Sequence, residues 1–151
     1  MNLVATLLLF PSLISATVGG EDQTTDYVVI LDTSISMVNN EFIDPVKKQI
    51  IDWSDKWSED ENSRVYLYTF DSELRPCRVF ELNSFGKSDL ASYIDGIRAE
   101  GKQTCMVSSL KEVLRQVPLL RAMDGRSGAV GYYLLTDGAE NFDNSSEQVT
   151  N

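Results

Sequence analysis

The sequence predicts an α/β fold, an open and mostly parallel sheet with helices on both faces. Three observations predict it. Short, nearly continuous apolar runs rich in β-branched and aromatic residues recur along the chain, as strands buried on both faces require. Between them lie segments whose apolar residues repeat every three or four positions. The 151 residues suit one domain, which typically spans about 100–200.

The first strand is Tyr27-Val28-Val29-Ile30-Leu31, ending at Asp32. A helix is expected from about Asp44 to Ser58, with Asp44 as cap and Pro45 in the first turn. Val46, Ile50, Trp53 and Trp57 line one face of it, and both tryptophans read as core packing. Arg64 to Phe70 is a second strand. Cys77 to Leu82 alternates polar and apolar, as a half-exposed edge strand paired antiparallel would. Leu90, Tyr93, Ile94 and Ile97 share a helical face, with Ser88 as the expected cap. Met106, Leu110, Val113 and Val117 make a further helix, stopped by Pro118. Val130 to Thr136 is the last strand, followed by Asp137-Gly138. Gly86-Lys87-Ser88 is no phosphate loop, because position 81 is Glu and no strand feeds it. In open sheets of this order, ligand sites gather at the carboxyl ends of the strands.

Composition excludes several chemistries. The formal charge of −10 opposes binding to nucleic acid or anionic lipid, which need clustered Lys and Arg. Histidine is absent, so there is no Ser-His-Asp or Cys-His triad, no imidazole base and no His-ligated zinc. The two cysteines are too few for a four-Cys zinc site. Any metal must use oxygen ligands.

Oxygen donors stand where the strands end. Alternation lets Asp32, Ser34 and Ser36 point the same way in an extended turn, Asp137 follows the last strand, and Thr104 opens a helix after Gly101-Lys102-Gln103. Two carboxylates and three hydroxyls suit Mg²⁺, Mn²⁺ or Ca²⁺. They barely balance the ion's charge, so the ion favours a further anionic oxygen, such as an Asp or Glu carboxylate of a partner. Each of these residues also has an ordinary use as a turn former or cap.

Asp32-x-Ser34-x-Ser36, Thr104 and Leu134-Leu135-Thr136-Asp137-Gly138, in that order, together with Arg64-to-Asp71, resemble the von Willebrand factor type A (VWFA) domain. The resemblance covers roughly residues 26–142. It implies a Rossmann-like sheet and a metal-ion-dependent adhesion site, with Mg²⁺ the usual occupant. Ser34, Ser36 and Thr104 would be direct or near-direct ligands, and Asp32 and Asp137 would act partly through water. Domains of this family usually continue with two more strands and two more helices. The chain stops at Asn151, so a C-terminally incomplete domain is expected, with its last strand at a sheet edge.

Leu3 to Ala16 is an apolar stretch of about 14 residues, shorter than the roughly 20 that span a bilayer. Broken by Pro11 and followed by small residues, it predicts a secretory signal over 1–16, a short linker over 17–25 and the domain over 26–151. A secreted or extracellular location follows (periplasmic in a bacterium), with no stable membrane span in the mature chain. An oxidising compartment makes Cys77 and Cys105 a candidate disulfide. Asn144-Ser145-Ser146 is a glycosylation pattern, and Glu140, Asp143 and Glu147 read as a solvated acidic tail.

The expected function is a non-enzymatic adhesion module that engages a protein ligand through a bound divalent cation. One alternative is a truncated remnant with an unoccupied site. Another is an aspartyl phosphotransfer enzyme with Asp32 as nucleophile, for which the expected second Asp is Ser34 here.

Overall fold

A strand that is apolar on both faces must be covered on both, and the helices are distributed accordingly. The computed structural model describes residues 6–8 and 24–138. In chain order the elements are β1 (Thr6–Leu8), β2 (Asp26–Asp32), α1 (Ser36–Asn39), α2 (Ile43–Trp57), β3 (Arg64–Phe70), β4 (Arg78–Glu81), α3 (Ser84–Gly96), α4 (Met106–Met123) and β5 (Val130–Leu135). They form one sheet in the order β1-β5-β2-β3-β4. The three central strands β5, β2 and β3 run parallel, while β1 and β4 pair antiparallel at the two sides. Parallel neighbours need long crossovers, which the helices supply.

Side-chain alternation along β2 assigns the two faces. Val29 and Leu31 join Val65 and Leu67 of β3 beneath α2 and α3, where Val46, Ile50, Leu90 and Ile94 complete the layer. Val28 and Ile30 join Tyr66, Tyr68 and Phe70 beneath α4, against Val113 and Val117. Trp53 and Trp57 pack as expected: Tyr27 stacks on Trp57 at 4.2 Å between ring centroids, and Tyr133 lies 5.0 Å from both indoles.

Four expectations need correction. First, α3 starts at Ser84 and is capped by Asn83, whose Oδ1 accepts the Gly86 N–H at 2.8 Å, not by Ser88. Gly86 is required there: a Cβ would lie 1.7 Å from the Glu81 carbonyl oxygen. Second, Pro118 does not stop α4, which runs on to Met123. An interior proline costs about 3 kcal/mol, and here it lies on the exposed face of the helix. The turn beyond it is held by Leu120 packing on the sheet and by Arg121. Third, β5 is not a sheet edge among the described residues. Residues 6–8, inside the expected leader, flank it with Thr6 opposite Leu134 and Leu8 opposite Tyr132. Fourth, α2 begins at Ile43 without a side-chain cap, so Asp44 lies in its first turn. The rest of the expected leader, Asn144 and the acidic tail lie outside the described residues. Among the described residues, no helix is long and apolar enough to cross a membrane.

At the amino end of β2, Asp26 is fully buried. Arg121 Nε and Arg126 Nε each donate to its Oδ2 at 2.9 Å. Arg126 also donates to the Asn62 carbonyl and Arg121 to the Gly128 carbonyl. One carboxylate therefore ties β2, the end of α4 and the loops entering β3 and β5. Asp26→Ala leaves two nearly buried guanidinium groups without their anion, a change that costs about 3–5 kcal/mol. An unfolding free energy in urea reduced by that amount, with a correspondingly lower midpoint, is expected; an unchanged midpoint would show the cluster to be incidental.

Candidate metal centre

Because β3, β2 and β5 run parallel, their carboxyl ends reach the same edge of the sheet. There the Thr33 amide and hydroxyl both donate to the Phe70 carbonyl, at 2.8 and 3.1 Å. The loop before α4 is laced alongside: Ile35 N–H donates to the Gly101 carbonyl at 2.7 Å and Gly101 N–H to the Thr33 carbonyl at 3.2 Å. Gly101 has to be glycine, since a Cβ would stand 2.2 Å from Cβ of Asp71. Cys105 N–H donates to the Asp71 carbonyl at 2.7 Å, which fixes the start of α4. Thr104, one residue earlier, is completely buried.

Asp32 is also completely buried. Its Oδ1 accepts the Ser34 N–H and its Oδ2 accepts the Thr136 hydroxyl, both at 2.8 Å. Gly138 N–H donates in turn to Thr136 Oγ1 at 3.1 Å. The carboxylate thus joins the loop after β2 to the loop after β5. Burial raises its pKa above the ordinary aspartate value; the bonds from Ser34 and Thr136 oppose the rise, and the nearby charge of Asp137 adds to it. Ser34 and Ser36 hydroxyls lie 2.9 Å apart. Asp137, half-buried, accepts from Asn40 Nδ2 at 3.2 Å.

Asn40 reaches Asp137 from a tight exit of α1. Phe42 N–H returns to the Met37 carbonyl and Glu41 N–H to the Val38 carbonyl, the paired bonds of a Schellman motif. The residue between them takes a left-handed conformation, φ 58° at Glu41. That position is usually glycine, and a side chain there costs about 1–2 kcal/mol.

The structure therefore gathers Asp32, Ser34, Ser36 and Asp137, and places Thr104 on the loop laced to Thr33 and Ile35. Sequence reasoning missed Thr136 as a partner of Asp32, although it stands inside the quoted Thr-Asp-Gly. It also missed Asn40 and Asp71. Asp71 is a third carboxylate at this edge, but Arg75 Nη2 neutralises it at 3.2 Å. Among the described residues Asp32 has no such partner: the charged group acting on it is a second carboxylate, Asp137. A cation fits this donor set. Among the described residues no three Asp, Glu, Cys or His groups converge, so it would rest on two carboxylates and on hydroxyls, a set suited to a hard ion.

The expected disulfide is not formed. Cys77 and Cys105 are free thiols. Cys105, the cap residue of α4, meets the Ser108 hydroxyl in the first turn, whereas Cys77 contacts the Arg78 carbonyl. Burial pushes the Cys77 thiol up to about 11, with a bond to Tyr68 pulling the other way, so it is unreactive at neutral pH.

The raised pKa of Asp32 has a definite sign. The folded state holds this proton more tightly than the unfolded state, so metal-free stability falls as pH climbs from the ordinary aspartate range, about 4, through the raised value. Asp32→Asn removes the buried charge. In chelator at pH 7 it is expected to melt higher than the wild type, and the gap should close on acidification below the ordinary range. A lower melt at pH 7 would contradict this.

A search among curated proteins returns no match. The family model of the von Willebrand factor type A domain matches residues 26–151, from the first residue of β2 onward. The chain belongs to the von Willebrand factor type A domain family.

Proposed function

We propose that the chain is a protein-binding module that works through a divalent cation, Mg²⁺ or alternatively Mn²⁺ or Ca²⁺. Ser34, Ser36 and Thr104 would offer hydroxyl oxygens, and Asp32 and Asp137 carboxylates acting partly through water. The observation that carries this reading is the unbalanced charge at the sheet edge. A carboxylate with no exposed surface faces a second carboxylate, beside two adjoining hydroxyls, and among the described residues no cationic side chain acts on it. Membership of the family supports a protein-interaction or adhesion role.

The bound ion supplies an electrophilic point at the surface. Asp32 orients the loop through Ser34 N–H, and each of its oxygens, holding one hydrogen bond, keeps a lone pair for a water on the ion. Asp137 is half-buried and stands closer to solvent. With only two protein carboxylates, the ion keeps an appetite for an anionic oxygen, and an Asp or Glu side chain of a protein ligand provides it. The module is read as non-enzymatic, in keeping with a protein-interaction role for the family. The apolar stretch over 3–16 supports a secreted or extracellular setting, where divalent cations are plentiful.

The test is a thermal melt of the full chain in chelator and then in millimolar Mg²⁺ or Mn²⁺. A ligand that binds only the folded state stabilises it by about 2.7 kcal/mol at a hundred times its dissociation constant. The wild type should melt higher with metal, and Asp32→Ala and Asp137→Ala should not respond. A wild-type melt indifferent to metal would leave these residues as turn formers and caps.

A further inference from the structure

We infer that Asn40 is a positioning residue of the cation site, acting through Asp137. The inference rests on the metal-binding reading above and deepens it. Asn40 lies outside the metal-site pattern read from the sequence, on the residue that caps the end of α1. Its side-chain amide donates to Asp137 Oδ2 at 3.2 Å across 97 positions of sequence. Both residues flank the edge where Asp32, Ser34 and Ser36 gather.

Two features make this contact more than a chance meeting of polar side chains. The first is the backbone that delivers it. The turn after Asn40 closes with Glu41 in the left-handed region, at φ 58°. The chain tolerates a side chain in a conformation suited to glycine, and that conformation directs the exit of α1. Strain of this kind collects where a geometry is needed.

The second feature is the donor type. A carboxylate offers about four lone-pair directions on two oxygens. An amide N–H occupies one of them and fixes the side chain, yet it brings no positive charge. The bond from Asn40 to Asp137 Oδ2 therefore adds no cation that would compete with a metal. The contrast at the same edge is Asp71, where a guanidinium holds the carboxylate and spends its charge. Asn40 therefore immobilises without neutralising. Partners that orient a metal's ligands typically change affinity 10- to 100-fold when removed.

The experiment titrates the full chain with Mn²⁺ and reads free Mn²⁺ by electron paramagnetic resonance, alongside thermal melts in chelator. Asn40→Ala should weaken Mn²⁺ binding by about tenfold or more, while its melt in chelator stays at the wild-type value. Asn40→Lys should weaken it further, because an ammonium group would pair with Asp137 and compete with the ion. If both variants bind Mn²⁺ like the wild type while Asp137→Ala does not, the metal site stands and the role of Asn40 is overturned. A loss of affinity accompanied by a lower melt in chelator would make Asn40 a part of the fold and equally overturn it. If the wild type takes up no Mn²⁺, the metal-binding reading fails and this inference falls with it.

Discussion

The upper edge of the sheet is organised by one buried carboxylate, that of Asp32. Its two oxygens are divided between neighbours far apart in sequence, the Ser34 amide and the Thr136 hydroxyl. Without that division the loops after β2 and β5 would have no common anchor, and the serine hydroxyls would lose the turn that sets them side by side. The parallel pairing of β2 with both neighbours makes the division possible, because it brings the two strand ends to one level.

Strand β2 carries a fully buried aspartate at each end, and the two are treated differently. Asp26 at the amino end is surrounded by two guanidinium groups. Asp32 at the carboxyl end is given hydrogen bonds and a like charge. A buried charge that is paired and bonded ranges from neutral to moderately costly; one left beside another anion is a standing expense to the fold. The amino end therefore spends its charges on cohesion, and the carboxyl end keeps one in reserve. The proposed cation site at the carboxyl end agrees with that difference.

Much of this was legible in the sequence, and the exceptions have physical causes. β2, β3 and β5 announced themselves because strands buried on both faces cannot afford polar residues; Asp32, Ser34 and Ser36 were marked by their spacing, but the expected extended turn is a helical one, with Ile35 in the αR region and Ser36 opening α1. The cap of α3 is Asn83 rather than Ser88 because the helix starts earlier, with Gly86 in its first turn where the lack of a side chain lets it pass the Glu81 carbonyl. Pro118 reads as a stop, and only distant partners, the sheet under Leu120 and Asp26 beside Arg121, explain why α4 continues. Four-residue α1 is too short for any periodicity to show. The Asn40–Asp137 contact leaves no local mark, since neither residue's surroundings in sequence name the other.

The aromatic group beneath α2 has a practical consequence for anyone following this chain in solution. Its two tryptophans, the full complement of the sequence, sit in the same stacked assembly with Tyr27 and Tyr133. Intrinsic fluorescence is therefore a local gauge. It will follow the seating of α2 against β2 and β5, and it will be nearly blind to loosening around α4 on the opposite face.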